Sequence, residues 1–196
     1  MNWLEPVAVA TGIISVYLSV KQKIWSWPTA LVNVALYFVV FREQKLYADM
    51  GLQVIYFVLS LYGWYEWLYG GENRTELKVS RADPKMAVTL TVIAVVGVAV
   101  LGTIFARFTD ASLPYVDSAT ATTSLVAQYM MTRKVLENWA VWIAVDVVYV
   151  GMFIYKHLYL TSGLYAGFLV LAVMGHRQWL RSFKAHHASA GDMVPA

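Results

Sequence analysis

The run Met86–Ala106 holds twenty-one consecutive residues without a charge, enough for one α-helix to cross the roughly 30 Å hydrocarbon core of a bilayer. Ile24–Phe41 is a second charge-free run, with Pro28 near its start, where a helix tolerates proline. Around these two the sequence predicts further spans at about 5–20, 49–69, 117–132, 138–155 and 158–179. Composition agrees: 59% of the residues are hydrophobic and only 14% charged, against about a quarter charged in soluble domains. The expected fold is an all-α integral membrane protein of seven helices.

The basic residues are divided unevenly among the connections. Eleven, from Lys21 and Lys23 to Arg181 and Lys184, fall on one side, and only Arg42, Lys45, Arg107 and Lys156 on the other. The positive-inside rule then puts the amino terminus outside and the carboxy terminus in the cytoplasm. The net charge of +3 reads as topology, so no nucleic-acid partner is expected. Without cysteine there is no thiolate metal site or cysteine nucleophile, and no cofactor or metal is expected.

Shifting the chain so that Trp27 falls on Trp139 lays it on itself without a gap. In the same register Tyr37 falls on Tyr149, Phe41 on Phe153, Gly51 on Gly163, Gly63 on Gly175 and Trp67 on Trp179, while Lys21 falls on Arg133. Generic apolarity does not require tryptophans, glycines and basic loop residues to stay in register. The expected organisation is one transporter domain over 1–179, built as two parallel three-helix repeats (about 5–69 and 117–179) around a linker helix at 86–106, with a loosely ordered cytoplasmic tail at 180–196. Parallel repeats about the membrane normal are typical of certain transporters, whose substrate sites lie between the repeats.

The polar faces point to a site. Asp49, Gln53, Tyr56, Ser60, Gly63 and Trp67 share one face of the third span. Trp139, Trp142, Asp146, Tyr149 and Phe153 share one face of the sixth. Asn33 and Tyr37 add to these from the second. Such faces turn inward, because polar groups facing lipid lack partners. A carboxylate at mid-membrane costs about 2.5–3.5 kcal/mol, and the repeat counterpart of Asp146 is Val34, so symmetry does not explain it. Asp146 either binds a substrate hydroxyl or cation or makes a structural hydrogen bond to a neighbouring helix. The amides of Asn33 and Gln53 suit a ribose or carboxamide, or serve as interhelical glue. Trp139 and Trp142 either stack on a flat cationic ligand or belong to the interfacial aromatic belt, which Trp3, Trp25 and Trp179 are expected to join. Gly163 and Gly167 read as a close-packing pair, as does Gly51, with a hinge as the other reading of Gly51 and Gly163. An enzyme is not expected, since no nucleophile–base pair or metal cluster stands at membrane depth. A retinal protein is excluded because no lysine lies between Leu158 and Trp179.

The stretches LYADMGLQVIYFVLSLYGWYEW (46–67) and PYVDSATATTSLVAQYMMTRKVLENWAVWIAVDVVYVGMFIYKHLYLTSGLY (114–165) resemble the two repeat signatures of the PnuC vitamin transporter family. The WxxW element of that family stands at Trp139 and Trp142, the ExW before it at Glu137-Asn138-Trp139, and the aspartate at Asp146. The resemblance implies a SWEET-like fold, a homotrimer in the bacterial inner membrane, and facilitated diffusion of a small vitamin. Nicotinamide riboside is the foremost candidate, with thiamine as the alternative, riboflavin or a deoxynucleoside behind it, and trapping by a cytoplasmic kinase. The expected substrate-binding residues are Asn33, Tyr37, Asp49, Gln53, Tyr56, Asn138, Trp139, Trp142, Asp146 and Tyr149.

Overall fold

A computed structural model describes residues 3–43, 47–109, 113–155 and 157–191. Within them the chain forms seven α-helices: α1 (Leu4–Val20), α2 (Ser26–Glu43), α3 (Tyr47–Tyr69), α4 (Pro84–Phe108), α5 (Pro114–Thr132), α6 (Asn138–Tyr155) and α7 (Tyr159–Gly191). The expected spans are met within a few residues at all but one end. The exception is α7, which continues through most of the segment expected to be a loose tail. Residues 180–190 contain leucine, arginine, lysine and alanine but no glycine or proline, so nothing stops the helix before Gly191.

Three helices, Pro84–Phe108, Asn138–Tyr155 and Tyr159–Ala188, are long and apolar enough to cross a membrane by themselves, and Leu4–Val20 is apolar but shorter. The others carry the polar stripes that dilute their apolarity. Helix α4 packs on α5 and leaves Val88, Val92, Val95, Val96 and Val100 exposed, a surface suited to lipid and not to water. Local signals place the ends. Asp83 caps α4 by accepting from the Met86 N–H at 2.6 Å, and Pro84 and Pro114 open α4 and α5. Helices α1 and α5 both end on a left-handed residue, Gln22 (φ 53°) and Lys134 (φ 48°). Lys23 N donates to Leu18 O at 2.9 Å, and Val135 N to Met130 O at 3.0 Å, so each turn closes as a Schellman motif. The two turns coincide in the register that lays Trp27 on Trp139.

Helix α1 packs on α2 and α2 on α3; α5 packs on α6 and α6 on α7; α3 also meets α5, and α1 meets α7. At one end of the bundle four tryptophans join these contacts. Trp27 and Trp67 meet edge-on at 5.3 Å and 89°, Trp139 and Trp179 at 5.4 Å and 90°, and Trp67 meets Trp179 at 5.8 Å. Trp67 Nε1 donates to Met131 O at 3.1 Å and Trp179 Nε1 to Ser19 O at 3.0 Å. Trp179 is 0% exposed; it is not a belt residue, because its indole N–H is used inside the bundle and not at the headgroups. Trp3 and Trp25 are exposed.

The α3–α4 connection straps the same end. Ser80 pairs with the α5–α6 turn through Ser80 N to Lys134 O (3.1 Å) and Leu136 N to Ser80 O (2.9 Å), and Glu137 Oε2 accepts from Ala82 N at 3.0 Å. The buried Lys134 ammonium donates to Glu76 Oε1 (3.1 Å) and Leu77 O (2.9 Å) and lies 4.5 Å from the centre of the Trp67 ring. Burial lowers its pKa, and Glu76 opposes that shift. Arg133 bridges Tyr62 and Glu66 of α3, each at 3.0 Å.

The glycines that pack closely are not those expected. A Cβ on Gly51, Gly163 or Gly167 would meet nothing within 4 Å, whereas one on Gly63 would strike the Trp27 ring and one on Gly175 the Trp139 ring. Gly63→Ala and Gly175→Ala should therefore each destabilise the protein by about 1–3 kcal/mol, while Gly51→Ala and Gly163→Ala should be neutral or stabilising. Thermal melts in detergent check this; four equal effects would mean the tryptophan rings are not seated on glycine.

Candidate functional site

Between the six packed helices other than α4 lies a cavity of about 500 Å3, a size usual for small-molecule sites. Its floor includes Ser19, Trp27, Met131, Trp139 and Ala172, beneath which Trp67 and Trp179 seal the bundle. At the other end it is lined by Glu5, Phe41, Phe153 and Thr161. Glu5 is exposed as well as lining, and so marks where the cavity meets the outside of the bundle.

Asn33, Tyr37, Gln53, Tyr56, Trp139, Trp142, Asp146 and Tyr149 all line this cavity. The other two expected residues stand apart. The Asp49 side chain lies outside the described residues, although its backbone belongs to α3. Asn138 is not among the lining residues; it is fully buried, and its Nδ2 donates to Val135 O at 2.6 Å, holding the tight α5–α6 turn. In sequence it sits beside the WxxW element, but it faces the turn because it opens α6.

Asp146 is 4% exposed and has no hydrogen-bond or ion-pair partner among the described residues. The structural hydrogen bond that would have explained it is absent there, leaving a carboxylate presented to the cavity. Asn33 does act as glue: its Nδ2 donates to Ala8 O of α1 at 2.6 Å. Trp139, 1% exposed, is wedged over Gly175 and against Trp179, whereas Trp142, one turn on, is only half-buried.

Aromatic rings build the walls. Tyr37 stacks on Phe41 at 5.5 Å, and their repeat counterparts Tyr149 and Phe153 stack at 5.8 Å. Tyr165 joins the second pair, 4.5 Å from Tyr149 and 5.2 Å from Phe153, and Phe168 lies beside it at 5.9 Å. Sequence reasoning missed Tyr165, although the repeat register lays it on Gln53, itself a candidate. It also missed Glu5 as a lining residue. Ser124 and Gln128 of α5 line the cavity too. Among the described residues, none that lines the cavity is lysine, arginine or histidine, and the two charged ones, Glu5 and Asp146, are both acidic. The arrangement can hold a flat, uncharged or cationic ring with hydroxyl or amide substituents, and among the described residues it offers a phosphate no cationic partner.

Comparison with known proteins gives a consistent picture. The family described as "Nicotinamide mononucleotide transporter" matches residues 2–181. The nicotinamide riboside transporter PnuC of Escherichia coli is 28% identical over 215 residues, covering 97% of this chain and 90% of that protein. The riboflavin/roseoflavin transporter RibM of Streptomyces davaonensis is also 28% identical, over 92% of this chain and 86% of its own length. Among solved structures, the crystal structure of the vitamin B3 transporter PnuC superposes with a TM-score of 0.72 at 28% identity, covering 94% of this chain and 83% of that one.

Asn138 and Trp142 separate a residue that holds a turn from one that faces the cavity. Asn138→Ala should remove a buried hydrogen bond, costing about 1 kcal/mol and lowering the melting temperature by roughly 2–4 °C while leaving ligand affinity unchanged. Trp142→Ala, at a half-buried ring packed against the tryptophan cluster, should weaken ligand binding. Loss of affinity in Asn138→Ala but not in Trp142→Ala would reverse the two roles.

Proposed function

The chain belongs to the nicotinamide mononucleotide transporter family, a family of membrane transporters and not of enzymes, and from that membership we propose that it carries nicotinamide riboside across the bacterial inner membrane. The observation that carries the reading is Asp146, buried in an aromatic cavity where, among the described residues, it has no hydrogen-bond or ion-pair partner and no basic side chain lines the walls. Nicotinamide riboside is a flat cation with a carboxamide and a ribose. A carboxylate suits its charge, Trp142 and the tyrosines suit its ring, and Gln53 suits an amide or hydroxyl. The mononucleotide adds a phosphate, for which burial without a cationic partner would be costly. Thiamine, also a flat cation, is the second reading. Riboflavin, which RibM by its name transports, and deoxynucleosides carry no positive charge for Asp146.

The binding residues in this reading are Asn33, Tyr37, Asp49, Gln53, Tyr56, Trp139, Trp142, Asp146 and Tyr149, with Tyr165 added. The parallel 3+1+3, SWEET-like arrangement is supported by the recurrence, in one common register, of the Schellman turns, the tryptophan–glycine contacts and the tyrosine–phenylalanine stacks. With the amino terminus outside, the open end of the cavity faces outward and the tryptophan-sealed end faces the cytoplasm. Transport is then uniport by alternating access, in which the seal between the repeats parts as the outer end closes. A homotrimer and trapping by a cytoplasmic kinase complete the proposal, on the strength of the family resemblance.

Calorimetric titration of the detergent-solubilised protein tests the reading. Saturable binding is expected for nicotinamide riboside and none for the mononucleotide, with Asp146→Asn weakening affinity about tenfold, roughly the 1.4 kcal/mol scale of one charge-assisted contact. Thiamine binding alone would move the protein to the second reading, and unchanged affinity in a folded Asp146→Asn variant would remove Asp146 from the site.

A further inference from the structure

We infer that Glu5 selects for positive charge at the entrance of the cavity, ahead of Asp146. The inference rests on reading the cavity as a site for a cationic nucleoside. Glu5 stands in the first turn of α1. It is exposed and also lines the cavity, so an entering ligand passes it before reaching the interior. Deeper in the same cavity Asp146, 4% exposed, presents a carboxylate with no hydrogen-bond or ion-pair partner among the described residues. That buried group is one a cation or a hydrogen-bond donor would satisfy. Glu5 extends the same sign of potential to the mouth.

Three further observations support the assignment. Among the described residues no lysine, arginine or histidine lines the cavity beside either carboxylate. Glu5 lies within electrostatic reach of the Tyr37 hydroxyl, and Asp117, its repeat counterpart in the first turn of α5, lies within reach of Tyr149. Tyr37 and Tyr149 thus each have a carboxylate at the same end of the bundle. Aromatic walls of low dielectric focus the field of such a group along the cavity axis, which raises the local concentration of a cation and repels anions. The effect acts on capture of the substrate, not on the transition between outward and inward states.

Glu5 is predicted to affect apparent KM at low salt and to leave the saturating rate unchanged. One charge about 10 Å from the path, seen through water, is worth a change of about two- to threefold, and reversal of the charge about the square of that. Initial uptake of nicotinamide riboside is measured in proteoliposomes at low ionic strength and at about 0.5 M salt, where exposed charges are screened within a few ångströms. Glu5→Gln should raise apparent KM about two- to threefold at low salt, Glu5→Lys more, and Glu5→Asp little, with the differences collapsing at high salt. If wild type saturates and Glu5→Gln matches it at both salt concentrations, the inference falls while the substrate reading stands. A salt-independent loss, or a loss of saturating rate, would make Glu5 structural and also overturn it. Absence of saturable uptake by wild type would overturn the substrate reading itself, before any variant is compared.

Discussion

The structure depends on four tryptophans at one end of the helical bundle. Trp27 with Trp67, and Trp139 with Trp179, form edge-on pairs, and each pair sits over a glycine because only a residue without Cβ lets the ring approach that closely. The pairs are joined by the Trp67–Trp179 contact and by two crossed hydrogen bonds, Trp67 to Met131 O of α5 and Trp179 to Ser19 O of α1. Each of these two indoles thus serves packing on one side and satisfies a carbonyl across the interface on the other. Everything above this seal is free to remain hollow. The strap from α3 to α4, with the Lys134 ammonium over Trp67, covers the seal from the other face.

The cavity shows the same logic in a different form. Trp27/Trp139, Tyr37/Tyr149, Phe41/Phe153 and Leu52/Leu164 line it as like pairs, each matched by the repeat. They build a frame with two similar walls. A fully symmetric frame would offer a ligand two equivalent orientations. The unlike pairs break that tie: Ala30 against Trp142, Val34 against Asp146, and Gln53 against Tyr165 all line the cavity. The wall from α6 and α7 carries the charge and the larger rings, while the wall from α2 and α3 carries the smaller residues and an amide. The Asp146 carboxylate and the Trp142 and Tyr165 rings therefore stand at cavity positions where the two halves of the sequence differ.

Relatives at 28% identity that span nearly the whole chain differ in named substrate, nicotinamide riboside in one and riboflavin in another. Changing Val34, Asp146, Gln53 or Tyr165 alters what the cavity offers a ligand without disturbing the seal, since none of them belongs to the tryptophan cluster.

Much of this was legible in the sequence. Charge-free runs have one stable arrangement in a bilayer, so the seven helices followed from length and polarity. The repeat register and the period of the polar stripes then placed eight of the ten candidate residues on the cavity wall. Side-chain environment was not legible in the same way. Nothing local distinguishes Trp179, locked inside the bundle, from Trp25, which is exposed. Nor does it show that Gly175 accommodates a ring while Gly163 accommodates nothing, or that Asn138 turns to a backbone carbonyl beside the WxxW element. Periodicity assigns a residue to a helix face, but what that face meets depends on how α1, α3, α5 and α7 cross. That is set by contacts between residues as far apart in sequence as Ser19 and Trp179, and those contacts exist only in the tertiary structure.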